Sequence, residues 1–163
     1  MAVGGPLIEL KKILAPTDFS PHSERSVRYA CRLAERLGSE LHLLHVLSEV
    51  IPSGPDPLLM PVLPQEFYNE NEDRARGSLR DLLKPDWGTP GAIVIAVQWG
   101  GPVEAIVDYA SEHEIDLVVI ATHGRTGLSH VLLGSVAERI VREAPCPVLT
   151  IRDRNQTPPP RGA

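Results

Sequence analysis

AIVIAVQWGGPVEAIVDYASEHEIDLVVIA, residues 92–121, carries the pattern that decides the fold. Ala92 to Val97 is an unbroken apolar run, the signature of a strand hidden on both faces rather than one with a wet side. Gly101-Pro102 then opens a helix, because proline at the first helical position sacrifices an amide that has no intrahelical acceptor anyway. Val103, Ile106, Val107 and Ala110 recur along one face of that helix. A second apolar run, Ile115 to Ala121, follows at once. Strand, amphipathic helix, strand is the unit that joins parallel neighbours in a sheet.

The same rhythm extends in both directions. Toward the amino terminus, Ile13 to Ala15 reads as a first strand. Ser20 and Pro21 are the N-cap and first position of a helix whose stripe is Val27, Ala30, Cys31 and Ala34, ending at Gly38. Leu41 to Leu47 is a second strand. Residues 48–64 hold Pro52, Pro55, Pro57, Pro61 and Pro64, which suits a surface loop. Gln65 to Lys84 is helical, with Phe67, Ala75, Leu79 and Leu82 on one side, until Pro85 and Gly88. Beyond residue 121 comes a glycine-containing loop, then a helix bearing Val136, Ala137, Ile140, Val141 and Ala144, then a strand from Val148 to Ile151. The expected fold class is therefore α/β: one three-layer, doubly wound, Rossmann-like domain over residues 1–152 with a five-stranded parallel sheet in the order 3-2-1-4-5. Residues 153–163 are expected to form a flexible tail. Sheets of this kind bind ligands beyond the carboxyl ends of their strands, where strand order reverses.

Composition excludes several function classes. The chain has 163 residues, 42% of them hydrophobic and 23% charged, and its 13 glycines and 16 prolines stay below the roughly one quarter that marks low complexity. A net charge of −5 argues against nucleic acid or an anionic membrane as partner. Cys31 and Cys146 stand far apart, so neither a disulfide framework nor a zinc site is expected. No apolar run approaches the roughly 18 residues of a membrane span, and no basic segment precedes the short apolar stretch at the start. A cytoplasmic location is the expectation.

The residues that follow each strand are the candidates for chemistry. Pro16, Thr17, Asp18, Phe19 and Ser20 put a carboxylate and hydroxyls at the sheet's carboxyl edge, where a ribose or base could be hydrogen-bonded. Equally, Thr17 and Asp18 could serve backbone donors of the turn. After the fourth strand, ATHGRTGLSHVLLGSVAERI places Gly134-Ser135 at a helix start, whose amides and positive dipole end suit an anion. The competing reading makes Ser135 and Glu138 a capping box, Ser-x-x-Glu, occupying those donors. His45 reads as a packed strand residue, while His123 and Arg125 read either as solvated loop residues or as side chains that reach a phosphate. No phosphate-binding P-loop or dinucleotide glycine fingerprint is present, no metal-ligand spacing emerges, and no residue is assigned catalysis.

The segments KILAPTDFS, LLHV and ATHGRTGLSHVLLGSVAERIVREAPCPVLTIR resemble the universal stress protein family over nearly the whole domain. Nucleotide-binding members carry Gly, two residues, Gly, nine residues, Gly, then Ser or Thr. This chain matches with Ala121, Gly124, Gly134 and Ser135, alanine standing in for the first glycine. The resemblance implies a cofactor-binding site of Pro16, Thr17, Asp18, Val46, Ala121, Gly124, Gly134, Ser135 and Val136. Thr17 and Asp18 would face adenine and ribose, Val46 would touch adenine, and Gly124, Gly134, Ser135 and Val136 would hold phosphates. The ligand implied is ATP, or ADP or AMP, with Mg²⁺ or Mn²⁺ held by the phosphates. The role implied is a stress-response regulator, a homodimer paired through the C-terminal edge strand. A nucleotide-free dimeric interaction protein of the same fold and a slow ATPase are the alternatives.

Overall fold

In the computed structural model, residues 9–48, 63–123 and 134–152 are described. Most of the loop expected at 48–64, the glycine loop with Gly124 and Arg125, and the tail 153–163 lie outside them. The elements run β1 Lys12–Pro16, α1 Pro21–Leu37, β2 Glu40–Leu47, α2 Gln65–Leu82, β3 Ala92–Trp99, α3 Pro102–Glu112, β4 Leu117–Ala121, α4 Ser135–Glu143 and β5 Val148–Ile151. A 3₁₀ turn, Pro85–Trp87, follows α2. The five strands form one parallel sheet in the order β3-β2-β1-β4-β5.

Alternation along the central strands divides the core into two layers. Ile13 and Ala15 of β1, Leu41 and Leu43 of β2, and Leu117 and Val119 of β4 pack with the α1 stripe Val27, Ala30, Cys31 and Ala34 and with Ala75 and Leu79 of α2. Leu14, Leu44, Val118 and Ile120 face the other way, against Val103, Ile106, Tyr109 and Ala110 of α3 and Ala137 and Ile140 of α4. This is why the strands read as continuous apolar runs: each face has a helical cover. Burial pushes the Cys31 thiol up to about 11, so it behaves as a small apolar residue.

Local signals set the ends. Ser20 caps α1 by accepting the Ser23 amide at 3.2 Å, Pro21 is its first residue, and Gly38 closes it at φ +68, a left-handed angle that glycine adopts without penalty. β3 runs two residues beyond the expected Val97, because register with β2 continues to Trp99 opposite Leu47. It is also an edge strand, which leaves Ile93 39% exposed. β4 starts at Leu117 rather than Ile115, since the Asp116 carboxylate accepts the Lys11 and Lys12 amides at 2.8 and 2.9 Å. In α2, which ends at Leu82, Phe67 stays outside the core and meets the Tyr68 ring edge-on. No helix among the described residues is long and apolar enough to cross a membrane.

At the amino end of β2 the buried His42 pins α3 to the sheet. Its Nε2–H donates to Glu40 Oε1 at 2.7 Å, so Nδ1 accepts the Tyr109 hydroxyl at 2.8 Å, and the Tyr109 ring stacks on His113. Burial holds the His42 pKa below its ordinary 6.5, outweighing the pull of Glu40. The unfolded chain therefore takes up a proton near 6.5 that the folded chain refuses, and this contribution to stability is whole above 6.5 and declines as pH falls below it. The urea midpoint is expected to drop between about pH 7.5 and 5.5, and to drop less in His42→Gln. Equal drops in both proteins would place the source elsewhere.

Candidate functional site

From β1 at the centre, the chain moves outward to β2 and β3 on one side and to β4 and β5 on the other. The reversal falls between β1 and β4, and a cavity of about 600 Å³ opens there at the carboxyl ends of β1, β2 and β4. Eight of the nine residues expected in the site line it: Pro16, Thr17, Asp18, Val46, Ala121, Gly134, Ser135 and Val136. Gly124 lies outside the described residues.

The turn after β1 is held by its own side chains and by bonds to β2. Thr17 N–H donates to Leu44 O at 2.9 Å, tying the turn to β2. Thr17 Oγ1 accepts the Phe19 amide at 3.0 Å and meets Ser23 Oγ at 2.9 Å, while Asp18 Oδ1 accepts the Ser20 amide at 3.0 Å. The turn-building reading of Thr17 and Asp18 therefore holds, and both residues line the cavity as well.

The capping box is not made. The N-cap of α4 is Gly134, which has no side chain to cap with, and Ser135 is the first helical residue. A Ser-x-x-Glu box needs its serine one position earlier. Glu138 instead donates its amide to Gly134 O at 2.9 Å and pairs its carboxylate with Arg142 at 2.9 Å. The amides of Ser135, Val136 and Ala137 thus begin the helix at the cavity wall with no intrahelical acceptor and at the positive end of the dipole. Gly134 is required there by close approach: its amide donates to Thr122 O at 2.7 Å, and a Cβ would stand 3.1 Å from that oxygen.

Ala121, which stands where the motif has its first glycine, lines the cavity. Val119 faces the α1 layer and Ile120 the α3 and α4 layer, so alternation turns the Ala121 methyl toward α1. The apolar floor of the cavity comes from the opposite face, through Leu44, Ile106, Ile120 and Ala137.

The lining also includes residues outside the expected set, among them His45, Ile106 and His123. His45 lines the cavity and donates Nδ1–H to Thr17 O at 2.7 Å. Ile106 arrives from α3, which only the strand order brings here. His123 is 5% exposed rather than solvated, its Nδ1 lies 3.0 Å from Thr122 Oγ1, and it lines the cavity in keeping with the alternative reading as a phosphate contact. It is carried inward because Thr122 and His123 continue directly from the buried end of β4. Among the described residues no group of three or more His, Cys, Asp or Glu could hold a metal ion.

Comparison with known proteins agrees with this architecture. The profile of the Universal stress protein family matches residues 9–152. A universal stress protein of Methanocaldococcus jannaschii is 32% identical over 158 residues, which cover 89% of this chain and 96% of that protein. The solved universal stress protein UspA of Lactobacillus plantarum superposes with a TM-score of 0.72 at 27% identity, over 88% of this chain and 99% of that one. A universal stress protein solved in complex with cAMP shares the fold at 23% identity and a TM-score of 0.64, over 88% and 98% of the two chains. With its sheet order, its cavity at the strand reversal and this match over nearly all its described length, the chain belongs to the universal stress protein family.

Proposed function

We propose that this protein is an adenine-nucleotide-binding module of stress response, acting in the cytoplasm as a regulatory homodimer. The observation that carries the proposal is the meeting, in one cavity, of an apolar floor, the Asp18 carboxylate and the uncapped start of α4. Each part suits one part of a nucleotide. Val46, Ile106, Ile120 and Val136 offer apolar contact to a purine, Asp18 accepts ribose hydroxyls, and the α4 amides receive phosphate oxygens. Pro16 and Thr17 shape the turn that carries Asp18, and Ala121 and Gly134 keep the backbone within reach. ATP is the ligand proposed, or ADP or AMP, and a divalent cation such as Mg²⁺ or Mn²⁺ would enter on the phosphates. The fold neighbour solved with cAMP supports an adenine nucleotide as the class to test.

β5 supports the dimer, because among the described residues it pairs only with β4 and leaves its other edge for a second copy. Titration with ATP, followed by calorimetry and by light scattering in the same buffer, tests both statements. The expected result is saturable heat below millimolar ATP and a mass near twice the 17.8 kDa chain. Absence of heat at millimolar ATP overturns the nucleotide reading, and a mass of 17.8 kDa overturns the dimer.

A further inference from the structure

Phe19 holds a backbone angle of φ +61, which a bulky side chain rarely adopts. Among the described non-glycine residues it shares a positive φ only with Glu114, and Glu114 is explained by its place just past the end of α3. Phe19 precedes a helix, so no C-terminal cap accounts for it. Strain that persists at a cavity needs a structure that over-determines it, and here the restraints are visible. The Phe19 amide donates to Thr17 Oγ1 at 3.0 Å, and the Phe19 ring meets the His45 imidazole at a tilt of 43° with centroids 4.4 Å apart. His45 also donates Nδ1–H to the Thr17 carbonyl at 2.7 Å.

One imidazole from β2 therefore grips both neighbours of Asp18, Thr17 by a hydrogen bond and Phe19 by ring contact. Among the described lining residues, Asp18 is the only carboxylate. We propose that His45 is a positioning residue, holding the Thr17–Phe19 turn so that the Asp18 carboxylate is aimed at the vicinal hydroxyls of a bound ribonucleotide. The proposal rests on the nucleotide reading above and adds to it the origin of ribose selectivity. Without His45, the left-handed turn relaxes and Asp18 loses its aim, while the apolar floor and the α4 amides are untouched.

The test compares ATP with 2′,3′-dideoxy-ATP, which has no hydroxyls for Asp18, by calorimetry on the full chain. The wild-type protein is expected to prefer ATP by about tenfold or more, the value of a hydrogen bond to a charged acceptor. His45→Leu is expected to weaken ATP by about tenfold and to leave dideoxy-ATP within about twofold, the same collapse of preference expected of Asp18→Asn. His45→Asn, whose amide reaches the Thr17 carbonyl from nearly the Nδ1 position, is expected to restore the preference to within about threefold of wild type. Phe19→Asn supplies a second route, because asparagine tolerates the left-handed angle but has no ring; its preference is expected to fall by about threefold.

Equal losses for both nucleotides in His45→Leu, or no restoration by asparagine, overturn the positioning role while leaving nucleotide binding in place. Should His45→Leu fail to fold, an unchanged preference in Phe19→Asn overturns it instead. A wild-type protein that binds neither nucleotide removes the nucleotide reading, and this proposal with it.

Discussion

Gly134→Val is expected to weaken ATP binding by more than about a hundredfold, about 2.7 kcal/mol, while the protein still folds. The angles at Gly134, φ −66 and ψ 151, are open to any residue, so the penalty does not come from the backbone. It comes from space. A Cβ there meets a backbone oxygen at 3.1 Å, and a backbone atom cannot swing aside as a side chain can. The start of α4 must shift, and the branched methyls would stand over the amides of Ser135 and Val136 that a phosphate needs. Overpacking of this kind costs about 1–3 kcal/mol of stability, readable as a lower urea midpoint. Gly77→Ala in α2 is the control, because nothing lies within 4 Å of its added Cβ. That change should raise helix stability by up to about 1 kcal/mol and leave ATP affinity alone. Undiminished ATP affinity in Gly134→Val would disprove the role assigned to the α4 amides.

The architecture was legible because the residues that make it act locally. Ser20, Pro21 and Gly38 bound α1 by capping chemistry that needs no neighbour, and the short apolar run Ile13–Ala15 just ahead of that cap suits a strand covered on both faces. The expected boundaries erred where a long-range partner decided them. β3 reaches Trp99 because β2 offers Leu47 opposite it, and β4 starts late because Asp116 turns its carboxylate to the amides of Lys11 and Lys12. The site divides along the same line. Thr17, Asp18, Gly134 and Ser135 stand at strand ends and helix starts that the pattern already marks. His45 and His123 lie one step from those marks, and their roles depend on which way a buried side chain turns. The capping box shows how narrow the margin is: moving the helix start by one residue takes Ser135 from cap to first helical position and leaves the opening amides to the cavity.

That opening is only as firm as the helix behind it. α4 has nine residues, too short to be stable alone, and it is fixed by burying Ala137 and Ile140 beneath α3 and the sheet. Ile140 is fully buried, so Ile140→Ala removes most of a core side chain and leaves a cavity, a change that costs about 2–5 kcal/mol. At about 3 kcal/mol the thermal midpoint should fall by roughly 6–12 °C for a chain of this size. The adjacent Val141 is 48% exposed, and Val141→Ala should move stability by no more than about 0.5 kcal/mol. The contrast separates burial from helix propensity, because both changes introduce the same favourable helix former. Ligand linkage then ties the anchor to the site. ATP at about 100 times its dissociation constant adds about 2.7 kcal/mol to the stability of a protein whose site is intact. If Ile140 holds the first turn of α4 in place, then at the same ATP concentration the added stability should be smaller in Ile140→Ala than in wild type or Val141→Ala. An equal increment in all three would mean that the amides keep their position without the anchor, and that α4 is held from its loop side instead.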